Sequence, residues 1–274
     1  RMGWISEGGM NYVCQRLSVP PAEAYGVASF YAMFPLEPRP KTVVHVCDDI
    51  ACRIAGAERI CEDYWRGRWD AALRGADEFL AESEAGRRDV MEPECRLIRG
   101  RIRLARDEPA AALQDAAEGV EFARETKEPQ ALWPALAFHA RALLATAKVE
   151  EASARVGELV AVVAEQGMLV TNPDWPGELA VVLEALGRGA ELTELAARGT
   201  PPTLWLQAAM AIVRGKFLQA ANLYAKIGSL PDEAFARLRA AQQLAAGGQQ
   251  IEASKQLERA LVFYREVRAS AYLR

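Results

Sequence analysis

Apolar residues from Tyr64 onward recur every three to four positions, in segments separated by Gly, Pro or Asp, which is the pattern of amphipathic helices. Several of these helices begin alike, at starts 33–41 residues apart and with one interval of 67 that leaves room for a degenerate unit around Gly187. The similar starts are GRWDAAL at Gly67, DEPAAAL at Asp107, KVEEASA at Lys148, GKFLQAA at Gly215 and GQQIEAS at Gly248. A small residue follows each start by five positions, namely Ala72, Ala112, Ser153, Ala220 and Ala253. Small residues let helices approach closely, so the repeat predicts a stacked array of helix hairpins.

Six hairpins are predicted from this periodicity, each made of two antiparallel helices. The predicted pairs are Ile50–Trp65 with Trp69–Ala85, Met91–Arg106 with Ala110–Thr126, Gln130–Ala147 with Glu150–Gln166, Trp175–Leu186 with Glu191–Arg198, Thr203–Arg214 with Leu218–Ile227, and Asp232–Ala246 with Gln250–Val267.

The first sixty residues have a different pattern. Trp4–Leu17 places its apolar residues on one helical face, and Pro21 suits the first turn of a second helix, Ala22–Met33. The β-branched run Thr42–Val46 predicts a strand, and Asp48 or Asp49 is a good N-cap for a helix from Ile50 to Glu62. The expected order is α–α–β–α.

Composition narrows the classes of function. The net charge of −4 gives no basic surface for nucleic acid, and no apolar run reaches the roughly 20 residues of a membrane span. The opening RMGWISEGGM lacks the pattern of a signal peptide, and a start at Arg1 suggests that the natural start lies upstream. Five cysteines are an odd set for a disulfide framework, so we expect a reducing, cytoplasmic setting with thiols or a metal.

Four of those cysteines lie in the first 61 residues. Cys47 is expected at the strand end and Cys52 in the first helical turn, where backbone N–H groups favour a thiolate or an anionic cluster. Asp48 and Asp49 disfavour a free thiolate, so a metal that forces deprotonation is the better functional interpretation. Ordinary buried thiols are the structural alternative, and a zinc site of His45, Cys47, Cys52 and Cys61 also fits the spacing.

The segments YGVASFYAMF and VCDDIAC, at their separation in residues 3–61, resemble the thioredoxin-like [2Fe–2S] small subunit of NADH dehydrogenases, a module also found in NAD-reducing hydrogenases and formate dehydrogenases. The resemblance implies that Cys47 and Cys52 are two of four ligands of a [2Fe–2S] cluster. The family pattern then requires a second pair, C-x₃-C, some 35–40 residues later. That pair is absent from the sequence, because Cys61 comes too early and Cys95 has no partner.

Residues 65–274 resemble the tetratricopeptide-like tails of bacterial ATP-binding regulators of the adenylate-cyclase and LuxR kinds, most clearly in FARLRAAQQLAAGGQQIEASKQLERALVFYREVRASAYLR. The predicted fold is therefore mainly α. A truncated thioredoxin-like [2Fe–2S] segment, residues 1–62, precedes a tetratricopeptide-like helix-hairpin solenoid, residues 63–274. The join near residues 61–66 leaves open a natural gene fusion or a chimeric sequence.

The repeat region contains no P-loop, dinucleotide fingerprint or H-E-x-x-H motif. His139 is expected to be a satisfied core or groove histidine rather than a catalytic one. Arg96, Arg99 and Arg103 share one helix face, which predicts a solvated face or, as the alternative, a site for an acidic peptide. Trp133, Trp175 and Trp205 at helix starts are interpreted as packing anchors.

Two functions remain from these patterns. The first is a non-enzymatic scaffold that carries an incomplete iron–sulfur segment and binds a protein or peptide partner in the repeat groove. The alternative is an electron-transfer [2Fe–2S] subunit of an NADH-dehydrogenase-type oxidoreductase complex, with a flavin- or NADH-binding subunit as its partner. The sequence assigns no catalytic residue to either.

Overall fold

The computed structural model describes residues 4–30, 35–38, 56–86, 89–167, 174–198 and 203–273. Its contacts divide the chain into two compact units, Arg1–Asp49 and Ile50–Arg274. The described residues form fourteen α-helices and one short 3₁₀ helix, and they contain no strand. The predicted strand Thr42–Val46 lies outside the described residues. The mainly helical fold predicted from the sequence is confirmed.

The first unit contains helices α1 (Glu7–Leu17) and α2 (Pro21–Phe30). The Ser6 hydroxyl caps α1 by accepting a hydrogen bond from the Gly9 N–H at 3.1 Å. Pro21 is the first residue of α2, as its fixed φ predicts. A groove of about 310 Å³ between these helices has apolar walls, including Val13 and Val27.

The second unit contains twelve of the α-helices. Their bounds are α3 (Ala57–Trp65), α4 (Trp69–Glu84), α5 (Glu92–Ala105), α6 (Pro109–Thr126), α7 (Pro129–Ala145), α8 (Val149–Gln166), α9 (Trp175–Ala185), α10 (Ala190–Ala196), α11 (Leu204–Val213), α12 (Phe217–Ile227), α13 (Leu230–Ala246) and α14 (Gln250–Glu266). A 3₁₀ helix, Ser270–Tyr272, follows α14. Consecutive helices pack together as six hairpins, and the first helices of neighbouring hairpins also contact each other, as α5 does with α7. This arrangement is a tetratricopeptide-like solenoid.

Each hairpin turn contains a residue with a left-handed backbone, which reverses the chain in a short distance. Those residues are Gly67, Asp107, Ala147, Gly187, Gly215 and Gly248, with φ between 60° and 77°. The third repeat is therefore shifted by one residue from the predicted start at Lys148. The small position of that repeat is Ala152, which is fully buried, and the assignment of Ser153 to it was wrong. The degenerate unit at Gly187 is confirmed, with Leu192 buried at the equivalent position.

One helix boundary also differs from its prediction. A single helix from Ile50 to Glu62 is wrong, because Gly56 has φ 73° and the described helix α3 begins after it, at Ala57. Residues 50–55 of the predicted helix lie outside the described residues. Trp133 and Trp175 are packing anchors as predicted, since both are fully buried and their rings meet edge to face at 5.4 Å.

The last hairpin of the solenoid packs against the first. The ring of Trp69 in α4 meets Phe263 of α14 edge to face, with centroids 5.6 Å apart. Two residues that follow α14 form hydrogen bonds with Arg106, which follows α5. The Val267 carbonyl oxygen accepts one from the Arg106 side chain at 3.2 Å, and the Ser270 hydroxyl donates one to the Arg106 carbonyl oxygen at 2.9 Å. One hydrophobic cluster therefore joins α3–α5 to α14, and the solenoid closes on itself within one turn.

Candidate functional site

A buried cluster of charged residues lies where the first helices of the hairpins meet inside the second unit. Arg101 of α5 donates from Nε to Glu178 Oε1 at 2.7 Å and from Nη1 to Asp174 Oδ2 at 3.0 Å. Arg141 of α7 donates from Nη1 to both oxygens of Glu178 at 3.0 Å. The side chains of Arg101 and Glu178 are only 7% and 4% exposed, so this is a desolvated ion-pair network. We refer to Arg101, Arg141, Asp174, Glu178 and Asp232 as the central cluster.

Aromatic side chains surround the central cluster. Arg101 lies over the Tyr64 ring at 5.6 Å and Arg141 over the Phe235 ring at 5.4 Å. Arg141 Nη2 also donates to the Tyr272 hydroxyl at 3.2 Å, and the Tyr272 ring stacks on Tyr264 at 4.5 Å. These residues and Asp232 line a cavity of about 30 Å³, which has the volume of a single water molecule.

Trp205 of α11 extends the same inner face. Its ring lies 6.1 Å from that of Trp65 at the end of α3 and 5.9 Å from that of Tyr224 in α12. All six first helices, α3, α5, α7, α9, α11 and α13, thus direct side chains inward. In the described residues these side chains fill the inner face, where the sequence predicted a peptide groove. The partner site in the repeat groove stays a prediction.

Burial and ion pairing act in opposite directions on the carboxylates of the central cluster. Burial alone would raise the pKa of Glu178, but the Arg141 and Arg101 guanidinium groups outweigh it, so the pKa is lowered. For Asp232, burial dominates and raises the pKa to about 6, although Arg101 and the hydrogen bond from Ser229 oppose the shift. The cluster therefore holds two cations and three carboxyl groups, and its surroundings raise the pKa of Asp232 and lower that of Glu178.

Two buried oxygen atoms near these groups have no protein partner, Asp174 Oδ1 and the Tyr264 hydroxyl. A buried polar atom without a partner costs free energy, and ordered water commonly satisfies it. The cavity has room for such a water beside Tyr264. Because both guanidinium groups pair with carboxylates and the space fits only water, the central cluster is suited to locking the solenoid closed rather than to binding a substrate.

Asp232→Asn tests the charge state of the cluster. Asp232 has a folded pKa of about 6, above the usual value of 3.8, so its ionisation makes the native state less stable as the pH rises from about 4 to 6. One pKa unit corresponds to about 1.4 kcal/mol, and Asp232 is only partly buried, so we expect an effect on the order of 2 kcal/mol. Relative to the wild type, the Asn variant should gain that much stability between pH 4 and pH 7. Urea unfolding at both pH values measures it, and a difference that does not change with pH would contradict the assignment.

Of the residues considered for a metal site, Cys61 lies within the described residues. Cys47, Cys52 and His45 lie outside the described residues. Cys61 is half-buried on α3, and burial, followed by the neighbouring Glu94, raises its thiol pKa. Burial and Glu94 also raise the pKa of the Cys95 thiol. Both are protonated thiols that pack within the second unit.

These observations test whether the chain can hold the cluster that the resemblance implies. A [2Fe–2S] cluster is held by four protein ligands, usually cysteine thiolates, so Cys47 and Cys52 require two further ligands. Among the described residues, no group of three or more His, Cys, Asp or Glu side chains could hold a metal ion. The sequence itself lacks the second C-x₃-C pair of the family pattern, which would supply the two further ligands beside Cys47 and Cys52.

The arginine row of α5 is neither the solvated face nor the open peptide site considered from the sequence. Arg99 donates to the buried Asp115 from Nη2 at 2.6 Å and to Asp77 from Nη1 at 2.9 Å. Arg103 donates to Asp115 at 2.8 Å. Arg96 is buried and pairs with Glu92 and Glu118. The row therefore ties α5 to α4 and α6.

His139 is also less satisfied than the sequence predicted. Its Nδ1 atom is buried and has no hydrogen-bond partner. Burial, together with the nearby Arg155 and Arg124, lowers its pKa to about 4, so the ring is neutral at physiological pH. Among the described protein atoms, Nδ1 therefore lacks the partner that the expectation of a satisfied histidine assumed.

Residues 1–67 match the thioredoxin-like [2Fe–2S] ferredoxin family. Similar proteins include the NADH-quinone oxidoreductase E subunit of Rickettsia typhi, 38% identical over 63 residues, which make up 22% of this chain and 37% of that protein. The corresponding protein of Escherichia coli is 31% identical over 58 residues, 21% of this chain and 35% of that protein. The chain thus spans just over a third of the length of these relatives, and the predicted resemblance of the N-terminal part is confirmed.

Among solved structures, the TPR-like repeats of a Podosopora anserina kinesin light chain align with 82% of this chain and 99% of that one, at 18% identity and a TM-score of 0.41. A second structure of these repeats aligns with 81% and 96% of the two chains, at 19% identity and the same TM-score. The assignment of this chain to a helix-hairpin array rests on its own helix pairing. No helix among the described residues is both long and apolar enough to cross a membrane.

Proposed function

We propose that the second unit is a non-enzymatic scaffold that binds a protein partner on the outer surface of a closed helical array. The observation that carries the proposal is the filled inner face. Glu178 forms ion pairs with both Arg101 and Arg141, so these charges are already neutralised within the chain. The ring of Trp65 also packs against that of Trp205 across the interior. A peptide could enter there only by breaking a buried ion-pair network, which costs several kcal/mol.

Rigidity of the outer surface supports the same role. The second helix of each hairpin is held in place through its inner side and has a solvated outer face. Its inner side carries a buried residue, such as Ala72, Ala112 or Ala220, that packs closely against the neighbouring helices. A scaffold that is already ordered loses little conformational entropy when it binds a partner. The closed turn therefore offers a preformed outer surface.

Site-specific photocrosslinking tests the location of the partner. A photoreactive phenylalanine is placed at exposed outer positions, Glu78 of α4, Glu121 of α6 and Ala154 of α8, or at the inner Trp205 as the matched control. The full chain is expressed in its native cells and irradiated. We expect protein adducts from at least one outer position and none from Trp205. Adducts only from Trp205, or from no position, would contradict the proposal.

Electron transfer is a second candidate function, favoured by the match of residues 1–67 to the thioredoxin-like [2Fe–2S] ferredoxin family. Under this alternative, Cys47 and Cys52 bind part of a cluster, and the partner is a flavin- or NADH-binding subunit of an NADH-dehydrogenase-type complex. The incomplete ligand set weighs against it, because two cysteines leave half of the positions of a [2Fe–2S] cluster unfilled.

Anaerobic reconstitution with iron and sulfide distinguishes the two candidates. Because the sequence lacks the second C-x₃-C pair of the family pattern, we expect less than one cluster per chain and no defined signal in the electron paramagnetic resonance spectrum of the reduced protein. A stoichiometric signal that is lost in Cys47→Ser, but kept in Cys95→Ser, would favour electron transfer instead. Circular dichroism of each sample confirms that the helices are intact.

A further inference from the structure

Helix α14 presents an exposed stripe on the side opposite its buried face. Ile251, Lys255, Glu258 and Val262 follow one another at i, i+4, i+7 and i+11, which places them on one line along the helix. Ile251 is 79% exposed and Val262 is 58% exposed. We refer to these four residues as the α14 stripe.

Ile251 and Val262 are thus large apolar side chains on the solvent side of a helix whose other side is buried. Beside Val262, a groove of about 280 Å³ is lined by Leu230, Ala234 and Phe263, with Arg237 and Arg259 at its edge. Leu230 is itself 41% exposed. The second unit thus has a protruding isoleucine at one end of α14 and an apolar groove near the other end.

The order of residues in the stripe is self-complementary. Ile251 and Val262 lie equally far from the midpoint of the stripe, and so do Lys255 and Glu258. If two copies of α14 pair antiparallel about a twofold axis through that midpoint, Ile251 of each copy meets Val262 of the other. Lys255 of each copy likewise meets Glu258 of the other. A twofold interface requires this reciprocity, in which residue i contacts j and j contacts i.

We propose that the α14 stripe is a homodimer interface, formed by two copies of this chain with their α14 helices antiparallel. Ile251 of one copy enters the apolar groove beside Val262 of its partner, and two Lys255–Glu258 pairs flank the axis. In the single chain Lys255 lies 3.5 Å from Glu252, an exposed pair that is easily exchanged. Opposite charges beside an apolar contact set the antiparallel register, since a parallel pairing would place like residues opposite each other.

Sedimentation equilibrium of the full chain tests the proposal. We expect a monomer–dimer equilibrium with a Kd on the order of ten micromolar, as befits a small interface. Val262→Glu should weaken dimerisation by at least about tenfold, because it places a charge in the apolar contact twice per dimer. Val149→Glu is the matched control, since Val149 is also exposed, at 46%, but lies on α8. A wild-type chain that stays monomeric at about 200 µM would overturn the proposal.

Charge exchange tests the register itself. Lys255→Glu and Glu258→Lys should each weaken dimerisation, because like charges then meet across the axis. The double variant with both changes should recover the wild-type Kd. Mixing the two single variants should form a heterodimer, because one chain is then acidic at both positions and the other basic. A dimer that resists Val262→Glu, or single variants that neither the double change nor mixing rescues, would show that α14 pairs in another way or not at all.

Discussion

Replacement of Glu178 by alanine is expected to lower the free energy of unfolding by about 3–5 kcal/mol, as is typical when one partner of a buried ion pair is removed. Glu178 accepts hydrogen bonds from Arg101 at 2.7 Å and from Arg141 at 3.0 Å. Its loss leaves Arg141 as a buried cation without a carboxylate partner in the central cluster. Arg101 keeps Asp174, so the two guanidinium groups are not affected equally.

Chemical denaturation of the full chain measures this effect, and α9 provides a matched control. Glu184, six residues further along the same helix, pairs with Arg239 at 2.8 Å, but both side chains are a quarter or more exposed. Glu184→Ala should therefore cost no more than about 1 kcal/mol. Glu178→Gln keeps the shape and one acceptor, and its cost should fall between the two. Equal costs for Glu178→Ala and Glu184→Ala would contradict a structural role for the central cluster.

The repeat architecture could be predicted because it depends on the spacing of apolar residues and turn residues that are close in sequence. Apolar periodicity identified all six hairpins, and the turn residues at Gly67, Asp107, Gly215 and Gly248 were correctly located. The one error of register arose at Ala147, an alanine in a left-handed conformation, because the sequence signal for such turns is glycine or asparagine. The core position Ala152 was missed for the same reason.

The central cluster could not be predicted, because its members come from helices that are far apart in sequence. Arg101 and Glu178 are separated by 77 residues, and their contact depends on how tightly the solenoid closes. The available signal was weak but present. Arg141 in LAFHARALL and Glu178 in WPGELAVV are charged residues within otherwise apolar helix segments, where a buried partner is expected.

The arginine row of α5 illustrates the same limit. Spacing correctly placed Arg96, Arg99 and Arg103 on one helical face. It could not show that Asp115 of α6 lies opposite that face and is 1% exposed. The direction of a helix face is set by neighbouring helices, so a row predicted to meet solvent or a ligand proved to be an internal contact.

Helix α3 connects the two resemblances. Residues 57–65 fall within the match to the thioredoxin-like [2Fe–2S] ferredoxin family, yet they pack inside the second unit. Ile60 is buried, and the Tyr64 ring stacks on Trp69 with centroids 5.8 Å apart. The Trp69 Nε1 atom also donates to the Tyr64 carbonyl oxygen at 3.1 Å. The C-terminal end of the segment that matches the ferredoxin family therefore forms the first helix of the solenoid.

Because α3 packs within the second unit, two truncated chains, one with α3 and one without it, are expected to differ strongly in stability. A chain of residues 50–274 contains the whole second unit and should unfold cooperatively, with the same midpoint as the second unit in the full chain. A chain of residues 68–274 lacks α3 and uncovers Trp69 and Gly75, against which Tyr64 and Ile60 pack. Burial of one large apolar side chain contributes about 1.5–3 kcal/mol, so loss of Ile60, Tyr64 and Trp65 should cost roughly 5 kcal/mol or more.

That cost is comparable with the whole stability of a typical domain, about 5–15 kcal/mol. We therefore expect the shorter chain to be unfolded or only loosely packed at 37 °C, which thermal unfolding followed by near-ultraviolet circular dichroism would show as a loss of the tryptophan signal. Tyr64→Ala in the longer chain separates lost packing from chain length, and it should cost about 3–5 kcal/mol. If residues 68–274 unfolded at the same temperature as residues 50–274, α3 would be an appendage of the solenoid. The N-terminal boundary of the scaffold would then lie after the ferredoxin-like match, because the fold would not depend on any residue of that match.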